Sequence, residues 1–180
     1  MTAMTPASHR SDDEQQWADW VESHGRAVRG YVLAMVHCPG VADDLAQEVF
    51  VRAWQARGRY REEGNARAYL LRIADRLVCD RARRRGHEVH VSEEQWRALE
   101  PACPPDGPDG QAAADGAVGQ LAAAMESLSP QQQRVLLLRY YGELGFAEIA
   151  AIMQCPLGTA LSHCHRGLQA LRKQLVENEP

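Results

Sequence analysis

Three groups of side chains in this 180-residue chain have types and spacings that could do chemistry. The first lies between Asn65 and Arg85. At 100° per residue, Tyr69, Arg72, Arg76 and Arg83 share a helical arc of about 60°, while Ala66, Leu70, Ile73, Ala74 and Leu77 fill a separate arc of about 100°. One side is core, and the other is an aromatic ring followed by a ladder of guanidinium groups. Such a face suits single-stranded nucleic acid, because bases stack on the ring while arginines hold phosphates. A solvated charged face with a half-buried tyrosine would give the same pattern. The second group is Thr159, Ser162, His163 and Arg166, opposite Ala160, Cys164, Leu168 and Leu171 on the last helix. Hydroxyl, imidazole and guanidinium groups can all hydrogen-bond base edges, although only Arg makes a strong bidentate contact with guanine. The third is Asp43, Asp44, Gln47 and Glu48, an acidic and amide face suited to a basic partner surface. Acids at a helix start also favour the helix dipole, which could account for Asp43 and Asp44 alone.

The elements that must position these groups read as helices. A first helix runs from about Asp12 to Val36 and stops before His37-Cys38-Pro39-Gly40. A second, about Ala42 to Arg57, carries Leu45, Val49, Phe50, Ala53 and Trp54 at helical spacing. A basic, glycine-flanked loop, Gly58 to Gly64, leads to a third helix over about Asn65 to Arg85. Ser129-Pro130-Gln131-Gln132 has the form of an N-cap, a first-turn proline and a capping-box glutamine. A short helix from Phe146 to Met153, a break at Gln154 to Gly158 and a last helix over about Thr159 to Val176 make a helix-turn-helix. The fold class is all-α. It consists of two small helical domains, residues 12–86 and 119–176, joined by a flexible acidic linker, 87–118, rich in Pro, Gly, Asp and Ala. The single β-leaning fragment, His87 to Ser92, borders that linker.

Charge follows the same division. The net charge of −4 contradicts a uniformly basic nucleic-acid binder. Yet residues 52–85 hold 11 Arg against 4 acids, and residues 86–133 hold 1 Arg against 8 acids. Such blocks are a signal of partners rather than of fold. The longest apolar runs, such as Val135 to Leu138, are far below the ~20 residues of a membrane span. The polar, acidic first residues are not the pattern of a secretory signal. Five cysteines without C-x-x-C spacing point to a reducing cytosol rather than a disulfide framework. His163, Cys164 and His165 beside Cys155 point in different directions on a helix, and Cys164 falls on the core side. No metal or other cofactor is therefore expected. Catalytic triads and phosphate loops have no counterpart in the chain, which argues against an enzyme.

Together these segments resemble the extracytoplasmic-function (ECF) sigma factors, the small two-domain specificity subunits of bacterial RNA polymerase. ADDLAQEVFVRAW (residues 42–54) resembles D-A-E-D-L-x-Q-E-x-F-x-x-A-W, and NARAYLLRIADRLVCDRARRR (65–85) resembles F-R-A-W-L-x-x-I-A-R-N-x-x-x-D-x-x-R-R. LSPQQQRVLLLRYYGELGFAEIAAIMQCPLGTALSHCHRGLQAL (128–171) is similar to the family's L-P-x-x-x-R…S-Y-x-E-I-A…G-T-V-K-S-R segment. The resemblance implies that Asp43, Asp44, Leu45, Gln47, Glu48 and Phe50 grip core RNA polymerase. Leu136, Leu137, Tyr140 and Tyr141 would help seat the C-terminal domain on it. Arg59, Arg61, Asn65, Arg67, Tyr69, Arg72, Arg76, Arg83 and Arg84 would help open the −10 element and hold its single strand. Thr159, Ser162, His163 and Arg166 would read the duplex −35 element. Implied partners are core polymerase, promoter DNA and an anti-sigma factor, in the cytoplasm.

The departures from the family pattern are specific. Tyr69 stands at the Trp position and can still stack. Asp75-Arg76 replaces Arg-Asn, which would put an acid near the DNA face. Gly145 replaces the Ser that caps the short helix. Gln154 replaces the turn glycine, at a cost of about 1 kcal/mol if that site is left-handed. Ala160-Leu161-Ser162-His163 replaces V-K-S-R and removes two cations. Two lost phosphate or base contacts should weaken duplex binding and flatten its log–log salt slope by about 1.8. Two rival readings follow: a free-standing helix-turn-helix regulator, and a degenerate sigma-like protein that sequesters polymerase or an anti-sigma factor.

Overall fold

The computed structural model describes residues 6–59, 65–88 and 116–177. Most of the expected linker, including Cys103, and residues 60–64 of the basic loop, including Arg61, lie outside the described residues. Helix α1 (Pro6–Val36) buries Ala27, Val28, Tyr31 and Val32, whose spacing makes one helical face. It ends at His37, which has a positive φ of 52°, and the chain re-enters helix at once. Pro39 takes the first position of α2 (Pro39–Ala56), where its missing N–H costs nothing. Ala42, Leu45, Ala46, Val49 and Ala53 form the inward face of α2. A 3₁₀ turn, Arg57–Arg59, follows. Helix α3 (Ala66–Glu88) closes a three-helix bundle in which α1, α2 and α3 all touch one another.

The C-terminal half begins with α4 (Ala117–Glu126), a short alanine-rich helix. Ser129 caps α5 (Pro130–Leu136) reciprocally. Its hydroxyl accepts from the Gln132 N–H at 3.4 Å, and the Gln132 amide oxygen accepts from the Ser129 N–H at 3.0 Å. Helix α5 then widens into a π-turn over Leu137–Tyr141, where the Gly142 N–H reaches the Leu137 carbonyl at 2.8 Å. Helix α6 (Phe146–Met153) and α7 (Leu157–Glu177) make the helix-turn-helix. Gln154 between them is left-handed, at φ 53° and ψ 44°. Helix α7 packs against α4, α5 and α6, and Gly167 lets α5 approach so closely that a Cβ there would lie 3.0 Å from Leu136.

The two halves are not separate in space. Helix α1 meets the π-turn, and α3 meets α6. Tyr141 lies against Gly30 so tightly that a Cβ at Gly30 would fall 2.0 Å from the tyrosine oxygen. Leu71 similarly presses on Gly142, where a Cβ would stand 2.8 Å from it. One apolar core therefore runs from α2 through α3 into α7.

Candidate nucleic-acid interface

Helix α3 has three working faces rather than two. Ala66, Leu70, Ala74 and Leu77 bury against α1 and α2, as their spacing predicts. Arg72, Arg76 and Arg83 are exposed, again as their spacing predicts, Arg84 is exposed beside them, and Tyr69 sits half-buried at the head of that row. Burial raises the Tyr69 hydroxyl pKa. Arg83 is held by Asp80 at 3.0 Å. A third face, about 40–100° beyond the core arc, carries Leu71, Asp75 and Val78, and all three are buried. Asp75 therefore does not sit near the exposed arginines, as the sequence led one to expect. It is 3% exposed and points the other way.

What Asp75 meets is an arginine from the other half. Arg134 donates to it twice, Nε to Oδ1 and Nη2 to Oδ2, each at 2.7 Å. Tyr31 of α1 donates its hydroxyl to the same Oδ1 at 2.7 Å. Burial, and then the charge and hydrogen bond of Asp75, hold the Tyr31 hydroxyl well above the usual tyrosine range. Burial works against the charge of Arg134, but its bonds to Asp75 outweigh that and raise its pKa. Around this pair lie weaker ties. Asn65 donates to Glu148 at 2.6 Å, Arg67 pairs with Glu143, and the Tyr141 hydroxyl donates to the Arg26 carbonyl at 3.0 Å. Asn65 and Arg67, expected on the single-strand path, are thus engaged by carboxylates of the C-terminal half.

Trp20 on α1 faces Tyr69, with ring centroids 6.3 Å apart. Behind it stand Trp17, Phe50 and Trp54, and the Arg57 guanidinium lies 4.0 Å over the Trp54 ring. Phe50 is therefore half-buried in an aromatic cluster. On α2, Asp43, Asp44 and Gln47 are exposed, whereas Leu45 belongs to the core. Asp43 binds Arg29 at 2.6 Å, and Glu48 binds Arg52 one turn on. In the C-terminal half Leu136 is core, Leu137 half-buried and Tyr140 exposed, while Tyr141 is the wedge against Gly30. On α7, Ser162 and Arg166 are exposed, but Thr159 and His163 are only partly so. The Cys164 thiol is buried in the core, and burial raises its pKa. Arg59 lies in the 3₁₀ turn.

Residues 20–88 match the family model of Sigma-70 region 2, and residues 119–171 match that of Sigma-70, region 4. The chain is 32% identical over 183 residues to the ECF RNA polymerase sigma factor SigC of Mycobacterium tuberculosis, covering 94% of this chain and 95% of that one. It is an ECF sigma factor. The ECF sigma factor SigW of Bacillus subtilis is 29% identical to it, with 92% of each chain covered. The sigma factor RpoE of Bartonella quintana, solved with the anti-sigma factor NepR, has a TM-score of 0.71 at 20% identity. That match covers 92% of this chain and 99% of RpoE. CnrH, solved with the cytosolic domain of CnrY, has a TM-score of 0.67 at 18% identity, covering 96% of each chain.

The sequence reading of this sigma factor missed Tyr31, Asp75 and Arg134 as one network, as well as the roles of Glu143 and Glu148. A buried ion pair joins residues 59 positions apart, so no local pattern signals it. One clue was available. Leu71 and Val78 are apolar, flank Asp75 on α3 and fall outside the core arc, which marks a further buried face. Among the described residues, no helix of the sigma factor is long and apolar enough to cross a membrane.

Proposed function

We propose that this chain binds core RNA polymerase in the cytoplasm, directs it to particular promoters and helps open the −10 element, with no covalent chemistry of its own. The observation that carries the reading is the exposed row Arg72, Arg76, Arg83 and Arg84 on α3, headed by Tyr69, in a chain that also contains a helix-turn-helix. Unstacking a base costs a few kcal/mol. Stacking on an aromatic ring returns about 1–3 kcal/mol per base, and arginine–phosphate contacts add to it. Tyr69 would be the stacking platform. Arg59, Arg61, Arg72, Arg76, Arg83 and Arg84 would hold the strand, and Asn65 and Arg67 would join once released from Glu148 and Glu143. Exposed Asp43, Asp44 and Gln47 and the half-buried Glu48 would face the polymerase, with Leu45 and Phe50 supporting that face from within. Leu136 and Leu137 would shape the polymerase-facing side of the second unit, which presents Tyr140 and Tyr141. Thr159, Ser162, His163 and Arg166 would serve the −35 element.

Promoter engagement requires the two halves to part. The −10 and −35 elements lie roughly 25 base pairs apart, about 85 Å of duplex at 3.4 Å per pair, whereas here the halves touch. Residues 87–118 are long enough to permit this, and their acidity suits a basic channel on the polymerase. The likeness to RpoE, solved with the anti-sigma factor NepR, supports an anti-sigma factor as a further partner.

Run-off transcription with purified core polymerase and a promoter library tests the reading. A promoter-dependent transcript is expected, and Tyr69→Ala should lower promoter opening about tenfold while leaving polymerase binding intact. Stable polymerase binding without any transcript would favour sequestration instead. Operator binding without polymerase association would favour a free regulator.

A further inference from the structure

The outward stripe of α7 is not the one its polar residues suggest. Ala160, Cys164 and Leu171 face the core, which rotates the exposed side toward Leu161 and His165 and leaves Thr159 and His163 at its margin. Leu161 is 44% exposed, in the second turn of the second helix of the helix-turn-helix, where base edges are read. Leu157, one turn earlier, is 49% exposed and extends the same apolar strip. Among the described residues, the closed arrangement does not use this strip. The ties between the halves come from Arg134, Tyr141, Glu143 and Glu148, all outside α7. The surroundings favour a polyanion, because α7 carries Arg166, Arg172 and Lys173 and no acid before Glu177.

In the major groove a leucine can satisfy none of the hydrogen-bonding base edges. The apolar group displayed there is the C5-methyl of thymine, which the minor groove does not offer. We propose that Leu161 reads a thymine methyl in the duplex −35 element, with Ser162, His165 and Arg166 supplying polar contacts on either side. The selectivity for that base pair is then set by an apolar contact, where two cations would have set it by hydrogen bonds and charge. This inference rests on the promoter-binding function proposed above.

The test uses the full chain with core polymerase. After −35 sequences have been selected from a random library, each thymine in the chosen element is replaced singly by deoxyuridine, which removes only the methyl group. At one position the wild-type holoenzyme should lose about fourfold in promoter affinity, the worth of one methyl buried. Leu161→Ala, an exposed substitution, should bind the thymine and deoxyuridine templates equally at that position and match wild type on the latter. If Leu161→Ala keeps the discrimination, or if selection requires no thymine, the inference falls while the functional reading stands. Weakened association of Leu161→Ala with core polymerase, with discrimination retained, would make the strip a protein contact and overturn it too. Failure to select any promoter would remove the functional reading and this inference together.

Discussion

Gln154 holds the left-handed conformation that the turn between α6 and α7 requires, at φ 53°. A side chain there costs about 1 kcal/mol that glycine avoids. Gln154→Gly is expected to raise stability by roughly that amount, read from the shift of the denaturation midpoint at unchanged m-value. An unchanged or lower midpoint would show the strain to be relieved elsewhere. Tyr31 makes a pH prediction. Its folded pKa is raised, so its contribution to stability is complete below the unfolded value of about 10 and is lost as pH climbs above it. Phenolate absorbance should show one of the five tyrosines ionising only as the fold loosens, and Tyr31→Phe should remove that late step. Ionisation of all the tyrosines in a single ordinary transition would contradict the buried hydrogen bond to Asp75.

At the scale of the element, α6 is preceded by Gly145 at the N-cap, whose backbone is extended (φ −72°, ψ 155°) but which has no side chain to cap the helix. Glu148 accepts from the Gly145 N–H at 2.7 Å, so half of a capping box is already in place. Gly145→Ser should complete it and add a few tenths of a kcal/mol, measurable in the same denaturation experiment. No gain would mean that the first turn of α6 is satisfied by another donor or acceptor. The helix-turn-helix, the cap at Ser129 and the breaks around Pro39 and Gln154 were all legible locally, because each rests on neighbouring residues. Helix starts were less so. Helix α2 begins at Pro39 rather than near Ala42, and α7 begins at Leu157 rather than Thr159, since a proline or leucine in the first turn loses no hydrogen bond. The α3 wheel gave a core arc and a cation arc correctly. It could not give the third face, whose burial depends on a partner element far along the chain.

At the scale of the whole molecule, the Asp75–Arg134 pair joins the halves. Removing one member of a buried, bidentate pair costs about 3 kcal/mol, because the other charge is left uncompensated. Asp75→Ala should therefore open the molecule. The expected signature is a larger radius of gyration in small-angle X-ray scattering at nearly unchanged helical circular dichroism. An unchanged radius would mean that the apolar contacts of Leu71 and Tyr141 suffice to keep the halves together. Arg67→Ala, which removes a more exposed pair, should cost under about 1 kcal/mol and leave the radius almost unaltered.

Local chemistry decided much of this protein without reference to its shape. Helical spacing set the inward face of α2 and the core arc of α3, turn residues placed the breaks around Pro39 and Gln154, and charged blocks divided the chain into basic and acidic segments. The tertiary structure alone decided that Asp75 turns away from the arginine row and toward Arg134. It likewise showed that Asn65 and Arg67 are occupied, and that Leu161 rather than His163 occupies the outward stripe of α7. The physical reason is common to all three. A side chain's direction follows from its own helix, but what it meets depends on the rotation of that helix against elements distant in sequence.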